Sequence, residues 1–284
     1  MTAAVASSLC ATVVYAEDQL PDLPVRGAPA PGGMALQTPA TPVASGVHFL
    51  DNLLLWILVP IVLFVSVLLV WVIFFYNRRA NPTPSRFTHN SPLEVAWTAI
   101  PALILLVIAF FSFPALRFEQ TMPVADVTIK TTGYQWYWGY EYVDNGVDFT
   151  SFMLQPDELE DYGYAQDKYR LATDTALVVP VGKKVVMQVT GADVIHSWAL
   201  PAFGVKQDAI PGRLAELWFE VEQEGIYFGQ CSVLCGVNHA FMPITVKAVS
   251  EEDYVAWLER QGAEFADGSW EAQVRARTEL AAAQ

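Results

Sequence analysis

Two long stretches without a charged side chain constrain this sequence more than anything else in it. Asn52 to Asn77 runs for 26 residues, NLLLWILVPIVLFVSVLLVWVIFFYN, and Val95 to Leu116 for another 22. As helices at roughly 1.5 Å per residue they reach about 39 and 33 Å. The hydrocarbon core of a bilayer is about 30 Å thick. Pro60 and Pro101 fall inside the runs, which membrane helices tolerate better than soluble ones. A transmembrane hairpin, with spans near 52–77 and 94–116, is therefore expected; two buried helices of a soluble core is the competing reading. The connection from Asn77 to Pro92 holds Arg78, Arg79 and Arg86 and no acid. Basic loops stay on the cytoplasmic side, so everything after Leu116 is expected outside, in a bacterial periplasm or its organellar equivalent.

The flanks of the hairpin differ in kind. Ala3 to Val14 is modestly apolar and Val14-Tyr15-Ala16 has the small residues a signal peptidase selects. Residues 1–16 read as a signal peptide, with which Cys10 would leave; a lipidated Cys10 is the alternative. Residues 17–48, rich in Pro, Ala and Gly, read as an extended arm, and 49–116 as the hairpin. Beyond it the chain turns acidic, with 12 Lys+Arg against 25 Asp+Glu over residues 117–284, which carry nearly all of the net charge of −14. No basic face is available for nucleic acid.

The outer segment reads as β-structure. Short alternating or β-branched runs occupy Val124–Thr131, Tyr134–Tyr142, Ala176–Val179, Lys184–Thr190, Ala215–Val221, Ile226–Gln230 and Ile244–Val249. Turn signals such as Asp144-Asn145-Gly146 and Pro211-Gly212 separate them. Many short strands with regular turns predict a sandwich or small barrel over 117–250. A closing helix from Glu251 and a tail, whose last twenty residues could instead form a weak surface helix, fill 251–284. Glu141 to Asp174 is an acidic insert, nine acids against Lys168 and Arg170; it is either a solvated loop or a docking face for a basic partner.

The densest chemistry lies in Cys231-Ser-Val-Leu-Cys235-Gly-Val-Asn-His239-Ala-Phe-Met242. Thiolate and thioether are soft donors, and imidazole suits copper, zinc and iron. Structural zinc sites do without methionine, and an iron–sulfur cluster wants four cysteines. Methionine beside His and Cys is a copper pattern. A mononuclear blue-copper site uses one cysteine; two at this spacing can each bridge two copper ions. His196 supplies a second nitrogen, since His48 precedes the first span and His89 lies in the cytoplasmic loop. A disulfide between Cys231 and Cys235 is the alternative.

Taken together, the hairpin, Tyr134-Gln-Trp136-Tyr-Trp138-Gly-Tyr140-Glu141, His196-Ser-Trp198 with the following Pro201, Gly204, Lys206, Asp208 and Pro211-Gly212-Arg213, and the cysteine loop resemble subunit 2 of cytochrome c oxidase over about residues 45–260. The resemblance implies an all-β cupredoxin-like sandwich or barrel behind the two-helix hairpin of a membrane protein. It also implies a dinuclear CuA centre held by Cys231, Cys235, His196, His239, Met242 and the carbonyl of Val233. In that family residue 233 is usually a glutamate whose carboxylate reaches magnesium at the border with subunit 1, so valine puts the magnesium in doubt. Trp136 is then the electron entrance from cytochrome c, and Glu141, Asp161, Asp174 and Asp193 are docking candidates. Glu94, at the start of the second span, is a candidate for a proton-channel mouth. The implied activity is electron transfer from cytochrome c to the haem of subunit 1, where oxygen is reduced to water with proton pumping in the respiratory chain; subunit 3 and the lipid membrane are further partners. Three other readings compete. Quinol oxidase subunits share the hairpin without the copper ligands, nitrous oxide reductase has a similar loop without the hairpin, and a membrane-anchored copper carrier needs no electron transfer.

Overall fold

The computed structural model describes residues 20–83, 85–265 and 268–282; the expected signal peptide and Cys10 lie outside them. Helix α1 spans Pro42–Phe75 and α2 Ser91–Gln120. Apart from Val43 and Ala44 at the start of α1, none of their residues is buried by the rest of the chain. The apolar windows are uncovered in both, as lipid-facing helices require. Helix α1 starts ahead of its uncharged run, so residues 42–48 of the expected arm are helical. Thr41 explains the early start: its Oγ1 accepts from the Ala44 N–H at 3.0 Å, and Pro42 fits the first turn. The helix ends where the Asn77 side chain donates to the Ile73 and Phe74 carbonyls at 3.0 and 2.8 Å. Asn90 caps α2 by accepting from the Leu93 N–H at 3.2 Å, and Glu94 returns the favour by accepting from the Asn90 N–H at 3.1 Å.

Eleven strands occur among the described residues, with β1 (Val25–Gly27) preceding the hairpin. After it come β2 (Val127–Tyr134), β3 (Tyr137–Tyr142), β4 (Val147–Ser151), β5 (Leu177–Pro180), β6 (Lys184–Gly191), β7 (His196–Leu200), β8 (Val205–Ala209), β9 (Ala215–Glu220), β10 (Gly225–Cys231) and β11 (Pro243–Val249). Helices α3 (Glu251–Arg260) and α4 (Trp270–Ala282) close the chain. One sheet has the order β5-β11-β10-β7-β8, with β1 adding in parallel to β10; the other is β4-β3-β2-β6-β9. They face each other as a β-sandwich. Alternation builds its core: Val127, Ile129 and Thr131 point inward from β2 and meet Met187, Trp138, Tyr142, Trp198, Phe219 and Val246, all buried.

The expected strand Tyr134–Tyr142 is two strands. They fold back on each other at Gln135-Trp136, with Tyr134 opposite Tyr137. No glycine, proline or asparagine marks the turn. The paired rings compensate, since Tyr134 and Tyr137 stack 4.7 Å apart at 4° and Phe152 covers Tyr137 at 4.4 Å. The acidic insert is also structured: it contains β4 and a small core of Leu154, Leu159, Tyr164 and Ala172 against Phe228 of β10.

The hairpin is fastened to the sandwich at both outer ends. Thr41 Oγ1 donates to the Phe203 carbonyl at 2.7 Å. The chain passes so close that a Cβ on Gly204, which sits at φ +69°, would lie 2.6 Å from Ala44 Cα. On the second helix, Trp218 Nε1 of β9 donates to the Glu119 carbonyl at 3.1 Å, and its ring meets Phe118 edge-on at 5.2 Å.

Candidate metal centre

The functional cluster sits where three connections of the sandwich converge. Strand β10 delivers Cys231, the loop to β11 carries Cys235, His239 and Met242, β7 opens with His196, and the β2–β3 turn brings Gln135 and Trp136 over the top. A nitrogen of His196 and the sulfurs of Cys231 and Cys235 all lie within 4.8 Å of one another, and all three residues are buried. Both cysteines are free thiols with Sγ atoms 3.8 Å apart. Around Cys235 Sγ lie Met242 Sδ at 3.4 Å and His239 Nδ1 at 3.6 Å. The Val233 carbonyl oxygen is 3.3 Å from Cys231 Sγ. The loop thus gathers three sulfurs, an imidazole and a main-chain oxygen, and β7 adds a second imidazole.

The charges in this pocket are unbalanced. Burial pushes the Cys231 thiol up, but the neighbouring His196 ring, the Ser197 and Val233 backbone and His239 outweigh it and bring it down to about 7. Burial and the neighbouring Cys231 charge push Cys235 up to about 12. Charge on one sulfur therefore disfavours charge on the other, a repulsion that a nearby cation would relieve. For His196, burial opposes the charged form, while Cys231 and then Asp193 more than offset it and raise its pKa. His196 Nε2 is 2.8 Å from Asp193 Oδ1, whereas Nδ1 is buried with no hydrogen-bond partner. An orphaned imidazole nitrogen, two thiols in contact and a thioether against one of them fit a soft metal ion, and copper suits all three donor types.

A supporting shell fixes these donors. His196 rests on Gly133, where a Cβ would fall 2.8 Å from the ring Cγ. Asp193 orients the same ring from the other side, as carboxylates do for metal-bound histidines, and its Oδ2 also accepts from the Gln135 N–H at 2.8 Å. The Cys235 carbonyl accepts from Gln135 Nε2 at 2.9 Å and from Trp136 Nε1 at 3.3 Å. Gly236, at φ +129°, permits that contact, since a Cβ there would meet the Trp136 ring at 2.9 Å. Trp138 Nε1 donates to the Met242 carbonyl at 3.4 Å from below.

A family model described as cytochrome C oxidase subunit II, periplasmic domain, matches residues 127–249, and one described as cytochrome C oxidase subunit II, transmembrane domain, matches residues 29–115. Cytochrome c oxidase subunit 2 of Cereibacter sphaeroides is 54% identical over 269 residues, which cover 90% of this chain and 88% of that protein. The chain belongs to the cytochrome c oxidase subunit 2 family. A probable cytochrome c oxidase subunit 2 of Rickettsia bellii is 44% identical over 84% of this chain and 88% of its own length. Among solved structures, the periplasmic domain of subunit II of cytochrome oxidase of Bradyrhizobium japonicum is 50% identical, covering 50% of this chain and 97% of that one, with a TM-score of 0.45. Membership makes the chain part of an oxidoreductase, with a transmembrane hairpin and a cupredoxin-like outer domain.

All six residues expected at the metal lie in this one pocket. Trp136 is half-buried at the β2–β3 turn, against the cysteine loop. The four docking acids are not equivalent. Glu141 is paired with Lys130 at 2.8 Å. Asp174 accepts from the Phe152 and Thr175 N–H groups at 2.8 and 2.7 Å. Asp193 holds His196 and Gln135; burial works against its charge, but those bonds and the Val194 N–H keep its carboxyl below its ordinary value. Asp161 is exposed on the insert. Glu94 lies at the loop end of α2, where its carboxylate completes the cap. Sequence reasoning did not single out Gly133, Gln135 or Gly236. Only the position of Gln135 beside Trp136 offered a signal, because the two glycines act through contacts with residues far away in the chain.

Proposed function

We propose that this chain is the electron-input subunit of cytochrome c oxidase, taking electrons from cytochrome c at a dinuclear CuA centre for delivery to the haem of subunit 1. The observation that carries the reading is the convergence of two thiols, a thioether and two imidazoles on one pocket. Cys231 and Cys235 would be shared between the two metal ions, His196 and His239 would each complete one of them, and Met242 and the Val233 carbonyl would be the weaker donors. Bound there, the copper pair supplies one-electron redox chemistry with no proton to move.

The chain's own residues do the rest. Gly133 and Asp193 hold the His196 ring so that Nδ1 faces the pocket, and the buried walls keep water from the sulfurs. Trp136 bridges the outside and the centre, its indole N–H resting on the carbonyl of Cys235. The acids of the insert, with Asp193, give the outer domain a negative field suited to a basic haem protein. Three of the four candidates already hold internal donors, yet their charge still contributes to that field. Residue 233 offers no carboxylate, so a magnesium ion at the border with subunit 1 would depend on that subunit and water. The outer domain would stand in the periplasm of a bacterium, with subunits 1 and 3 around the hairpin. Glu94, at the opposite end of the hairpin, stays outside the electron route.

Metal analysis with electron paramagnetic resonance on the purified complex tests the reading. Two coppers per chain sharing one unpaired electron are expected, together with magnesium that washes out under chelation. Trp136→Phe should leave that spectrum intact while slowing electron uptake from cytochrome c by at least about tenfold. One exchangeable copper per chain would instead indicate a carrier.

A further inference from the structure

The acidic insert reaches the metal loop at Arg170. Arg170 sits at φ +71°, the only residue other than glycine in the left-handed region among the described residues. Its guanidinium lies over the Phe241 ring, 5.1 Å from the centroid, and over Tyr169 at 5.5 Å. Phe241 stands in the short turn between His239 and Met242, its N–H donating to the Asn238 carbonyl at 2.9 Å. The Arg170 carbonyl accepts from Gln230 Nε2 at 3.3 Å, and Gln230 immediately precedes Cys231. One and three residues on, the same segment is stitched to β11: Thr245 Oγ1 donates to the Leu171 carbonyl at 3.3 Å and accepts from the Thr173 N–H at 3.1 Å. The loop that carries Cys235, His239 and Met242 leaves β10 after Cys231 and returns at Pro243. Residues 170–173 therefore cross-tie both strands at its base, and one side chain presses on the turn itself.

We propose that Arg170 is a positioning residue for the metal centre, clamping the His239–Met242 turn through Phe241 while its backbone fixes the strand that delivers Cys231. A positive side chain in a surface otherwise rich in acids would oppose attraction of a basic partner, so docking does not account for it. A residue held in an uncommon backbone conformation persists where its surroundings dictate it, and here the dictating contacts lead to the two ends of the ligand loop.

The inference rests on the copper reading, and the test separates the two. In the assembled membrane complex, Arg170→Ala, Arg170→Lys and Phe241→Leu are compared with the unaltered protein. The readouts are copper loss to a Cu(I) chelator, the paramagnetic hyperfine pattern, and KM for cytochrome c across ionic strength. Arg170→Ala is expected to lose copper about two- to fivefold faster, the kinetic equivalent of one exposed cation–π contact, with an altered hyperfine pattern. Arg170→Lys should recover part of this. Arg170→Ala combined with Phe241→Leu should be no worse than Phe241→Leu alone. An unchanged spectrum and chelation rate in Arg170→Ala overturn the inference, as does an effect confined to KM and its salt dependence. If Arg170→Ala does not assemble, Arg170→Lys and Phe241→Leu decide the matter by the same readouts. Absence of copper from the unaltered protein would sink the copper reading itself.

Discussion

At the scale of single residues, the centre depends on groups that never touch a metal. Gly133 is the sharpest case, because the His196 ring occupies the space a methyl would need. Gly133→Ala should push the ring off its Asp193 partner. The expected outcome is an assembled complex with copper content reduced by half or more and a broadened paramagnetic spectrum, while the far-ultraviolet circular dichroism of the outer domain is unchanged. Full copper loading with a native spectrum would show that the ring can move aside without cost. The candidate donors were legible in the sequence: Cys231, Cys235, His239 and Met242 crowd into twelve residues, and His196 is the one other histidine of the outer segment. What holds them was not. A glycine that accommodates a ring from another strand has no local signature, and Asp193, expected as a docking acid, has its carboxylate turned inward to His196.

At the scale of elements, the two C-terminal helices show how a surface segment is fixed. Trp270, buried at the start of α4, donates from Nε1 to Glu251 Oε1 at 2.6 Å, and Lys183 pairs with the same carboxylate oxygen at 2.8 Å. Further along α4, Arg277 pairs with Asp144 and donates to the Ala125 carbonyl at 2.8 Å. Burial opposes the charge on Glu251, but Lys183 and Trp270 outweigh it and hold its pKa below the ordinary 4.5. A depressed acid stabilises the fold above its ordinary value, and that stabilisation is lost as pH falls through the folded-state value. Acidification from about pH 6 to about pH 3 should therefore release α4 first. Protection against hydrogen exchange, after correction for the intrinsic pH dependence of the amide rate, should fall over residues 270–279 before that of β2 and β6, and Glu251→Gln should show the reduced protection already at neutral pH. Equal exchange in the altered and unaltered proteins would separate Glu251 from the docking of α4. The sequence announced α3 by its spacing and left the last twenty residues as either a weak surface helix or a tail, because a short, weakly amphipathic helix gains its stability from contacts such as these. Strands β4, β7 and β8 were also missed. They are five residues each, and β8, VKQDA, alternates too poorly to stand out from a loop.

At the scale of the whole molecule, charge is divided by the membrane. Three arginines lie in the loop between the spans, and nearly all of the net −14 is carried by the outer domain. Attraction over distances beyond about 10 Å is screened at physiological salt. Turnover at low cytochrome c concentration should therefore fall by at least about tenfold between low and physiological ionic strength, while turnover at saturating donor changes little. A flat response would remove long-range attraction from the mechanism. The hairpin was legible from its uncharged runs alone, but its attachment was not. The Thr41–Phe203 and Trp218–Glu119 bonds join residues 162 and 99 positions apart. Because each helix is tied to the sandwich separately, the outer domain hangs from two attachments rather than one. Two attachments resist swivelling of the metal pocket about the hairpin, so in the proposed electron route an arriving donor would do most of the orienting while the onward jump holds its length.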